Sequence, residues 1–287
     1  MPSRKSPTLR RRRLSAELRR LRAAAGLSST DASKRLEWSA GKLTRIERGE
    51  WLRPNPRDIQ DLLDIYGITD VRQREELTQL AREGRQRGWW HPYRDMLSDA
   101  YSTYIGLEAE AKALLTFQPL MIPGLLQTAD YARAVVAGGP AEINLEEVDR
   151  RVEVRIARQN ALRGPDPLRL WAIIDEAALH RPVGGPEVMR DQLKHLQDIA
   201  TLPKVTLQVI PFRTGVHPGV AGGSFAILEF PGSEDPDAVH VDTAAGELFI
   251  EEPDQVDRYR VAFQHLTAVA LSPDDTLAMI ADRTIQT

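Results

Sequence analysis

Apolar residues recur at helical spacing in the first third of the chain. From Leu14 onward they follow one another at steps of three and four residues, and glycines interrupt the pattern at intervals. A glycine just beyond the last periodic position commonly ends a helix. The pattern therefore predicts five short helices that form a compact all-α domain over residues 14–85. Residues 1–13 carry prolines, serines and an arginine cluster without an apolar period, so they are predicted to form a flexible basic arm.

The rest of the chain mixes helical and strand-like patterns. Helical spacing is found at residues 98–113, 128–137, 146–162, 187–201, 253–270 and 274–282. Short apolar runs typical of strands occupy residues 168–174, 205–211, 225–230, 239–242 and 247–250. The last strands follow one another without an intervening helix, and Gly246 indicates a hairpin. Residues 89–287 are therefore predicted to form a larger α+β domain with a largely antiparallel sheet.

An apolar stretch at residues 114–126 has two interpretations. Pro119 and Pro123 break it, which excludes a regular helix or a central strand over residues 118–128. The segment either packs beneath its own domain or lines a pocket or a partner groove. Gln118 and Gln127 are its candidate contacts with a ligand or partner.

Two further features of the larger domain are equally open. Trp89 and Trp90 form either an exposed anchor for a partner, since tryptophan is frequent in binding hot spots, or an apolar latch between the two domains. The apolar stripe along residues 146–162 belongs either to the core or to a helix that mediates dimerisation.

The charge is divided unevenly along the chain. Residues 1–57 contain 16 Lys and Arg against 5 Asp and Glu, a balance of +11, although the whole chain has a net charge of -3. A basic head on an acidic body indicates that the head meets a polyanion such as nucleic acid. No apolar run approaches the length of a membrane span. The chain has no cysteine, which excludes disulfides and thiolate metal sites and fits a cytoplasmic protein.

Residues 25–49 have the pattern of a helix-turn-helix. The second helix is only about two turns long, and a connection of about three residues leads into the third, so the two helices must cross steeply and leave the third on the surface. Ser28 is predicted to cap the second helix and Ser39 the third. A surface helix of this kind fits the major groove of B-DNA, where its side chains reach phosphates and base edges. The candidate DNA contacts are Ser29, Ser39, Gly41, Lys42, Thr44, Arg45 and Arg48.

At these residues the sequence resembles the Cro/lambda-repressor-like (XRE) family of bacterial regulators. The similarity covers residues 14–66 and is most specific at residues 45–49, Arg-Ile-Glu-Arg-Gly. It implies that the helix at residues 40–48 recognises DNA and that Ser29 touches the DNA backbone. It also implies a structural role for Glu47, paired with Arg19 or Arg22 of the first helix.

The sequence departs from the XRE pattern at two places. Glu37 stands in the turn where relatives usually have glycine. Ala40 and Gly41 stand where relatives often use glutamine or serine to contact bases, so direct contacts must come from the longer side chains of the third helix. An interior Gly41 would also cost about 1 kcal/mol of helix propensity. We therefore expect weak base recognition by one head, with dimerisation and partners adding selectivity.

The larger domain is similar to the C-terminal domain of streptomycete regulators of the WhiJ-like group. The similarity spans residues 89–282 and includes the segments at 104–109, 118–132 and 205–212. It implies a transcription regulator linked to development and antibiotic control, often encoded beside small acidic partner proteins. Some members are described as antitoxin-like. The resemblance supplies no ligand and no catalytic residue.

Signatures of common enzyme classes are missing from the sequence, among them the phosphate-binding loop, the nucleophile elbow, the dinucleotide fingerprint and the HExxH zinc motif. His217, His240 and Asp242 could meet in the fold, but their spacing specifies no metal. We expect no enzyme activity, no metal and no cofactor.

Together these patterns predict a homodimeric regulator that binds double-stranded DNA. Its larger domain is expected to bind a small acidic partner protein or a small-molecule effector, and no membrane contact is expected. The alternative is an antitoxin-like interaction module that binds DNA mainly for autoregulation.

Overall fold

The computed structural model describes residues 7–39, 41–51, 53–139, 143–232, 235–243 and 246–287. The chain divides into two units, Met1–Pro92 and Tyr93–Thr287. Trp89 and Trp90 therefore fall in the first unit rather than at the start of the second, as the sequence analysis had placed them. No described helix is both long and apolar enough to cross a membrane.

The first unit is all-helical over its described residues and confirms the predicted five helices. They are α1 (Pro7–Ala24), α2 (Ser29–Arg35), α3 (Lys42–Glu47), α4 (Pro56–Ile65) and α5 (Val71–Glu83). Their periodic apolar side chains meet in one core, which includes Leu14, Leu18, Leu43, Leu62 and Leu77. The predicted Ser28 cap is confirmed, because its hydroxyl accepts a hydrogen bond from the Asp31 backbone N–H at 3.0 Å.

The prediction of a flexible arm is wrong for residues 7–13. The first helix begins at Pro7, a position that tolerates proline because its N–H would have no helical partner, and Leu9 is buried. The arginines of this turn meet acidic residues of α5: Arg10 lies 3.0 Å from Glu83, and Arg13 lies 2.9 Å from Glu76. These contacts make the segment part of the bundle. Residues 1–6 lie outside the described residues.

The third helix begins later than predicted. Its N-cap is Gly41 rather than Ser39, at φ 85°, and no side chain caps it. Ser39 instead accepts a hydrogen bond from the Lys42 N–H through its carbonyl. Gly41 therefore incurs no interior helix cost, because glycine adopts positive φ without strain. Ala40 lies outside the described residues.

The second unit is built on one six-stranded sheet. Its strands are β1 (Ala113–Gln118), β2 (Arg169–Asp175), β3 (Val205–Ile210), β4 (Phe225–Glu229), β5 (Ala238–Thr243) and β6 (Gly246–Ile250). Its helices are α6 (Asp99–Glu110), α7 (Ala129–Ala137), α8 (Leu145–Arg158), α9 (Ala177–His180), α10 (Pro186–Ile199), α11 (Pro218–Gly222), α12 (Pro253–Val269) and α13 (Pro273–Gln286). All the predicted strands are present within a residue or two, and the fold is α+β.

The sheet is mixed, and most of its strand pairs are antiparallel, as predicted. Its order is β3-β2-β1-β4-β5-β6. The pairs β1–β2 and β2–β3 are parallel, whereas β1–β4, β4–β5 and β5–β6 are antiparallel. The sequence patterns do not predict one central strand, β1, which extends through Gln118. Pro119 lies directly after its last residue, so the proline ends the strand instead of preventing it.

The two faces of the sheet have different neighbours because side chains alternate along each strand. One face packs against α12 through residues such as Phe117, Phe225 and Phe263. The other face carries Leu114, Thr116 and Gln118 toward a cavity. The apolar stripe of α8 packs against α7 through Val148 and Val152, which confirms its interpretation as core.

Candidate nucleic-acid interface and ligand cavity

The helix-turn-helix geometry rests on one non-glycine residue with positive φ. Glu37, between α2 and α3, has φ 53° and is the one such residue among those described. This is the turn position where the XRE pattern usually has glycine. Its conformation explains that preference, since a left-handed backbone costs a residue with a Cβ roughly 1–2 kcal/mol.

Glu47 fixes the third helix to the first, as the resemblance implied. The Arg22 guanidinium donates to both carboxylate oxygens of Glu47 at 2.7 and 2.9 Å, which identifies Arg22 rather than Arg19 as the partner. Arg22 also donates to the Leu27 carbonyl at 2.7 Å. The Glu47 side chain is almost fully buried. This bidentate pair joins α1, the following turn and α3.

The basic side chains of α3 differ in how they are held. The Lys42 ammonium lies 2.9 Å from Asp58 of α4 and 3.8 Å from the centre of the Trp38 ring. Both contacts engage its charge within the unit. Arg48, the C-cap residue, is exposed and lies 3.9 Å from Glu50, a separation at which a surface ion pair contributes little.

Arg45 is exposed, and within the described part of the chain no side chain or carbonyl forms a hydrogen bond or ion pair with its guanidinium. The guanidinium lies over the Gly41 backbone, 3.7 Å from the position that a Cβ there would occupy. All of its N–H donors therefore remain available to a partner outside the unit.

The smaller polar residues border this helix. The hydroxyls of Ser29 and Thr44 lie 3.4 Å apart, so they link the start of α2 to the middle of α3. Both side chains are half-buried, whereas Ser39 and Gly41 are exposed. The predicted DNA contacts thus lie on α3, on the turn before it and at the start of α2.

The two tryptophans differ in their exposure. Trp90 is 8% exposed, and it lies edge-on to Trp89 with ring centres 6.0 Å apart. Trp89 is half-buried. A Cβ at Gly88 would lie 2.3 Å from the Trp90 ring, so the indole is packed closely against this backbone. The interpretation of Trp90 as an exposed hot spot is therefore wrong.

Gln118 and Gln127 both line a cavity of about 220 Å³ in the second unit. Its floor is the sheet face of β1, β4 and β5, and its walls come from α6, α8 and the loop after β1. Gln127 is buried and donates to the Ile122 carbonyl at 2.7 Å, while its side-chain oxygen accepts from Arg155 at 2.9 Å. Gln118 is half-buried at the end of β1. The loop with two prolines therefore forms a cavity wall, one of the interpretations left open by its sequence.

A buried ion pair stabilises the cavity wall at α8. Arg158 donates to both oxygens of Glu108 at 2.8 and 2.6 Å, and its remaining arm donates to the Tyr101 hydroxyl at 2.6 Å. Burial alone would lower the pKa of Arg158, but the Glu108 carboxylate outweighs it and holds the pKa well above the usual range. Burial also raises the pKa of the Tyr104 hydroxyl. The charges of Arg158 and Glu108 therefore cancel within this pair.

Sequence reasoning missed the arginines of this wall. Arg155 and Arg158 are three residues apart on α8, a spacing that places both on one helix face. Their position beside an apolar stripe is the one sign in the sequence that they face the interior of the domain. Charged residues on a helix are more often exposed to solvent, so this sign is weak. Only the fold shows that this face meets α6 and the loop after β1 and lines the cavity.

The histidines singled out earlier lie in different places. His240 lies 2.9 Å from Glu247 and lines the cavity together with Asp242, whereas His217 lies 3.4 Å from Asp175 and is not part of the cavity wall. Within the described ranges, no group of three or more His, Asp or Glu side chains is arranged to hold a metal ion.

Comparison with known families identifies both units. A helix-turn-helix domain matches residues 13–77, and a domain of unknown function, DUF5753, matches residues 101–282. Comparison with curated proteins and with solved structures gives no match. The first match covers the bundle that contains α2 and α3, so this unit is a helix-turn-helix domain. The second covers more than half of the chain and includes the cavity, and the chain therefore belongs to the DUF5753 family.

Proposed function

We propose that the chain is a sequence-specific DNA-binding transcription regulator whose DUF5753 domain binds a small effector molecule. The observation that carries the first half of the proposal is the free guanidinium of Arg45 on the exposed side of α3. It belongs to a helix-turn-helix within a segment of +11 charge. A guanidinium presented on a surface helix of this motif is suited to the two acceptors of a guanine edge.

The other residues take positioning roles in this proposal. Arg48 contacts phosphate, and Ser29 and Thr44 contact the DNA backbone at the border of α2 and α3. Lys42 acts indirectly, because its contacts with Asp58 and Trp38 hold the first turn of α3 in place. Phosphate contacts fix the orientation of the helix, and base contacts determine the sequence preference.

A single helix-turn-helix unit that contacts bases through one arginine distinguishes few base pairs. We therefore infer that the chain acts as a homodimer on two half-sites about one helical turn apart, because two heads multiply the selectivity of one. The resemblance to WhiJ-like regulators supports a cytoplasmic role in gene control. In this proposal the larger domain senses a ligand and performs no catalysis.

Selection of binding sites from random duplex DNA tests the proposal. The full-length wild type is expected to enrich one two-fold symmetric sequence. Arg45→Ala is expected to bind that sequence with about 1–3 kcal/mol less free energy and to lose its preference at one base pair of each half-site. Arg82→Ala, an exposed arginine on α5, serves as the matched control and should keep both affinity and preference.

Two results of the selection would contradict the proposal. The first is enrichment of no sequence by the wild type, and the second is an identical preference for the wild type and Arg45→Ala. A mobility-shift titration at fixed salt is needed for each variant, since phosphate contacts make the affinity depend on salt.

A further inference from the structure

The cavity of the second unit contains one arginine whose charge has no carboxylate partner. Arg158 is neutralised by Glu108, as described above. Arg155, one helical turn earlier on α8, donates a hydrogen bond to the Gln127 side-chain oxygen at 2.9 Å and also interacts with the Tyr101 hydroxyl. Within the part of the chain that the structure describes, no carboxylate forms an ion pair with it. A guanidinium has five N–H donors, so most of those of Arg155 remain unused.

This arrangement is electrostatically costly without a ligand. Burial lowers the pKa of the Arg155 guanidinium, and although the Tyr101 hydroxyl opposes that effect, the positive charge of Arg158 reinforces it. A charge removed from water normally requires a counter-ion or dense hydrogen bonding. The unused N–H groups of Arg155 are not among the fully buried donors of the chain, so they face accessible space.

The remainder of the cavity combines apolar and aromatic side chains with several polar ones. Leu114, Ile122 and Leu125 line it together with Tyr101 and Tyr104. The two tyrosine rings are stacked, with centres 6.4 Å apart, and the ring of His240 lies 4.4 Å from that of Tyr104. Apolar walls with a few fixed polar groups are typical of small-molecule sites.

We propose that this cavity binds a small organic monocarboxylate with a planar apolar body, whose carboxylate takes the unused donors of Arg155. This identification of the ligand class rests on the proposed effector-binding function of the domain. A volume of about 220 Å³ corresponds to roughly seven water molecules at about 30 Å³ each, which suits a single-ring compound. A planar guanidinium binds a carboxylate through two parallel hydrogen bonds.

The acidic side chains of the cavity limit the ligand to one negative charge. Glu247 is held by His240 at 2.9 Å and by the Ser98 hydroxyl at 3.3 Å. Asp242 is exposed and therefore hydrated, but its charge repels a second anionic group. A phosphate monoester, which carries up to two charges, is consequently a poorer ligand than a monocarboxylate.

Calorimetric titration of the full-length protein tests the proposal with four single-ring probes. They are benzoate, its neutral analogue benzamide, the cation benzylammonium and phenyl phosphate. Benzoate is expected to bind with at least tenfold higher affinity than each of the other three. Absence of benzoate binding at millimolar concentrations would overturn the proposal, as would equal or tighter binding of benzamide, benzylammonium or phenyl phosphate.

Variants of Arg155 test whether its guanidinium binds the carboxylate of the ligand. Arg155→Gln is expected to weaken benzoate at least tenfold and to leave benzamide unchanged, whereas Arg155→Lys, which keeps the charge but not the planar fork, should retain part of the preference. The exposed Arg163 is the matched control, and Arg163→Gln should bind benzoate like the wild type. Unchanged benzoate binding by Arg155→Gln would overturn the assignment.

A folding control and the absence of DNA separate the possible causes of a negative result. Thermal unfolding of each variant shows whether it folds, and if Arg155→Gln does not, the charge preference of the wild type together with Arg155→Lys decides the question. The titrations contain no DNA. Failure to bind benzoate would therefore overturn the ligand class alone, whereas failure of site selection would overturn the DNA-binding proposal.

Discussion

Arg45 and Lys42 show how differently two cations on one short helix can be used. The sequence places both on the outward side of α3, and the residue types alone do not distinguish them. The structure pairs Lys42 with Asp58 and the Trp38 ring, which lie on α4 and in the preceding turn. Arg45 has no such neighbour among the described residues. The contact with Asp58 of α4 distinguishes Lys42 from Arg45, and the sequence of α3 alone does not reveal it.

Glu37 provides a test of the turn geometry at the level of one residue. Its φ of 53° places a side chain in the left-handed region. Glu37→Gly removes that strain from the folded state, but it also increases the conformational entropy of the unfolded state. The first effect is the larger one, so we expect the free energy of unfolding to rise by up to about 1 kcal/mol. Chemical denaturation measures the change.

Lys34→Gly is the control for this substitution. Lys34 lies in the last turn of α2, where glycine is expected to cost about 1 kcal/mol of helix propensity. Equal destabilisation by the two glycines would show that the turn at Glu37 carries no strain.

At the scale of elements, the helix-turn-helix is held together by the Arg22–Glu47 pair. Glu47→Ala leaves the half-buried Arg22 without its counter-charge and removes a buried carboxylate, so it is expected to lower the free energy of unfolding by about 3 kcal/mol. In a double-mutant cycle, Arg22→Ala should then add little to Glu47→Ala. Additive effects of the two substitutions would contradict a direct coupling between α1 and α3.

The elements of the fold were predictable to different degrees. Helices with clear apolar spacing, such as α8 and α12, and strands bounded by turn residues were recovered almost in full. The strand β1 was missed because its apolar residues run directly into Pro119 and continue the helical region before them. The start of α1 was missed because Leu9 is a single apolar residue among arginines, and its burial depends on α5.

The cavity is predictable from the sequence only in part. The two prolines after β1 indicate an irregular apolar segment, and Gln118 and Gln127 at its ends line the cavity; their contact with a ligand or partner stays a prediction. The arginines of α8 are not predicted, because their contacts depend on the position of α8 beside α6 and the loop after β1. Sequence spacing placed Arg155 and Arg158 on one helix face, but it could not show which of them Glu108 neutralises.

At the scale of the whole molecule, one half-buried histidine, His195, makes the stability depend on pH. Burial lowers the pKa of His195 from its ordinary value of 6.5; the nearby Asp198 opposes this shift, and Arg163 adds to it. Because the unfolded state then binds the proton more readily, stability is expected to fall as the pH drops below about 6.5. Urea denaturation at several pH values measures this slope.

A substitution separates His195 from the other titrating groups. His195→Gln should flatten the loss of stability between pH 7 and pH 5, whereas the same change at the exposed His265 should leave the slope unaltered. A slope that is identical in the wild type and His195→Gln would contradict the role given to this residue.

The division of charge suggests separate roles for the two units of the molecule. In our proposal, the basic helix-turn-helix unit presents Arg45 to DNA, and the acidic DUF5753 unit offers Arg155 to a ligand in its cavity. The central claim is that the exposed side of α3 makes the DNA contacts.

The most direct test of this claim measures the affinity of the full-length Arg45→Ala/Arg48→Ala variant for a duplex selected by the wild type. The Arg82→Ala/Arg85→Ala variant is measured at the same fixed salt concentration as the control. The account predicts at least a tenfold loss for the α3 pair, since one base-contacting arginine contributes about 1–3 kcal/mol, and a smaller loss for the equally charged control pair. Equal affinities for the two double variants would contradict the account.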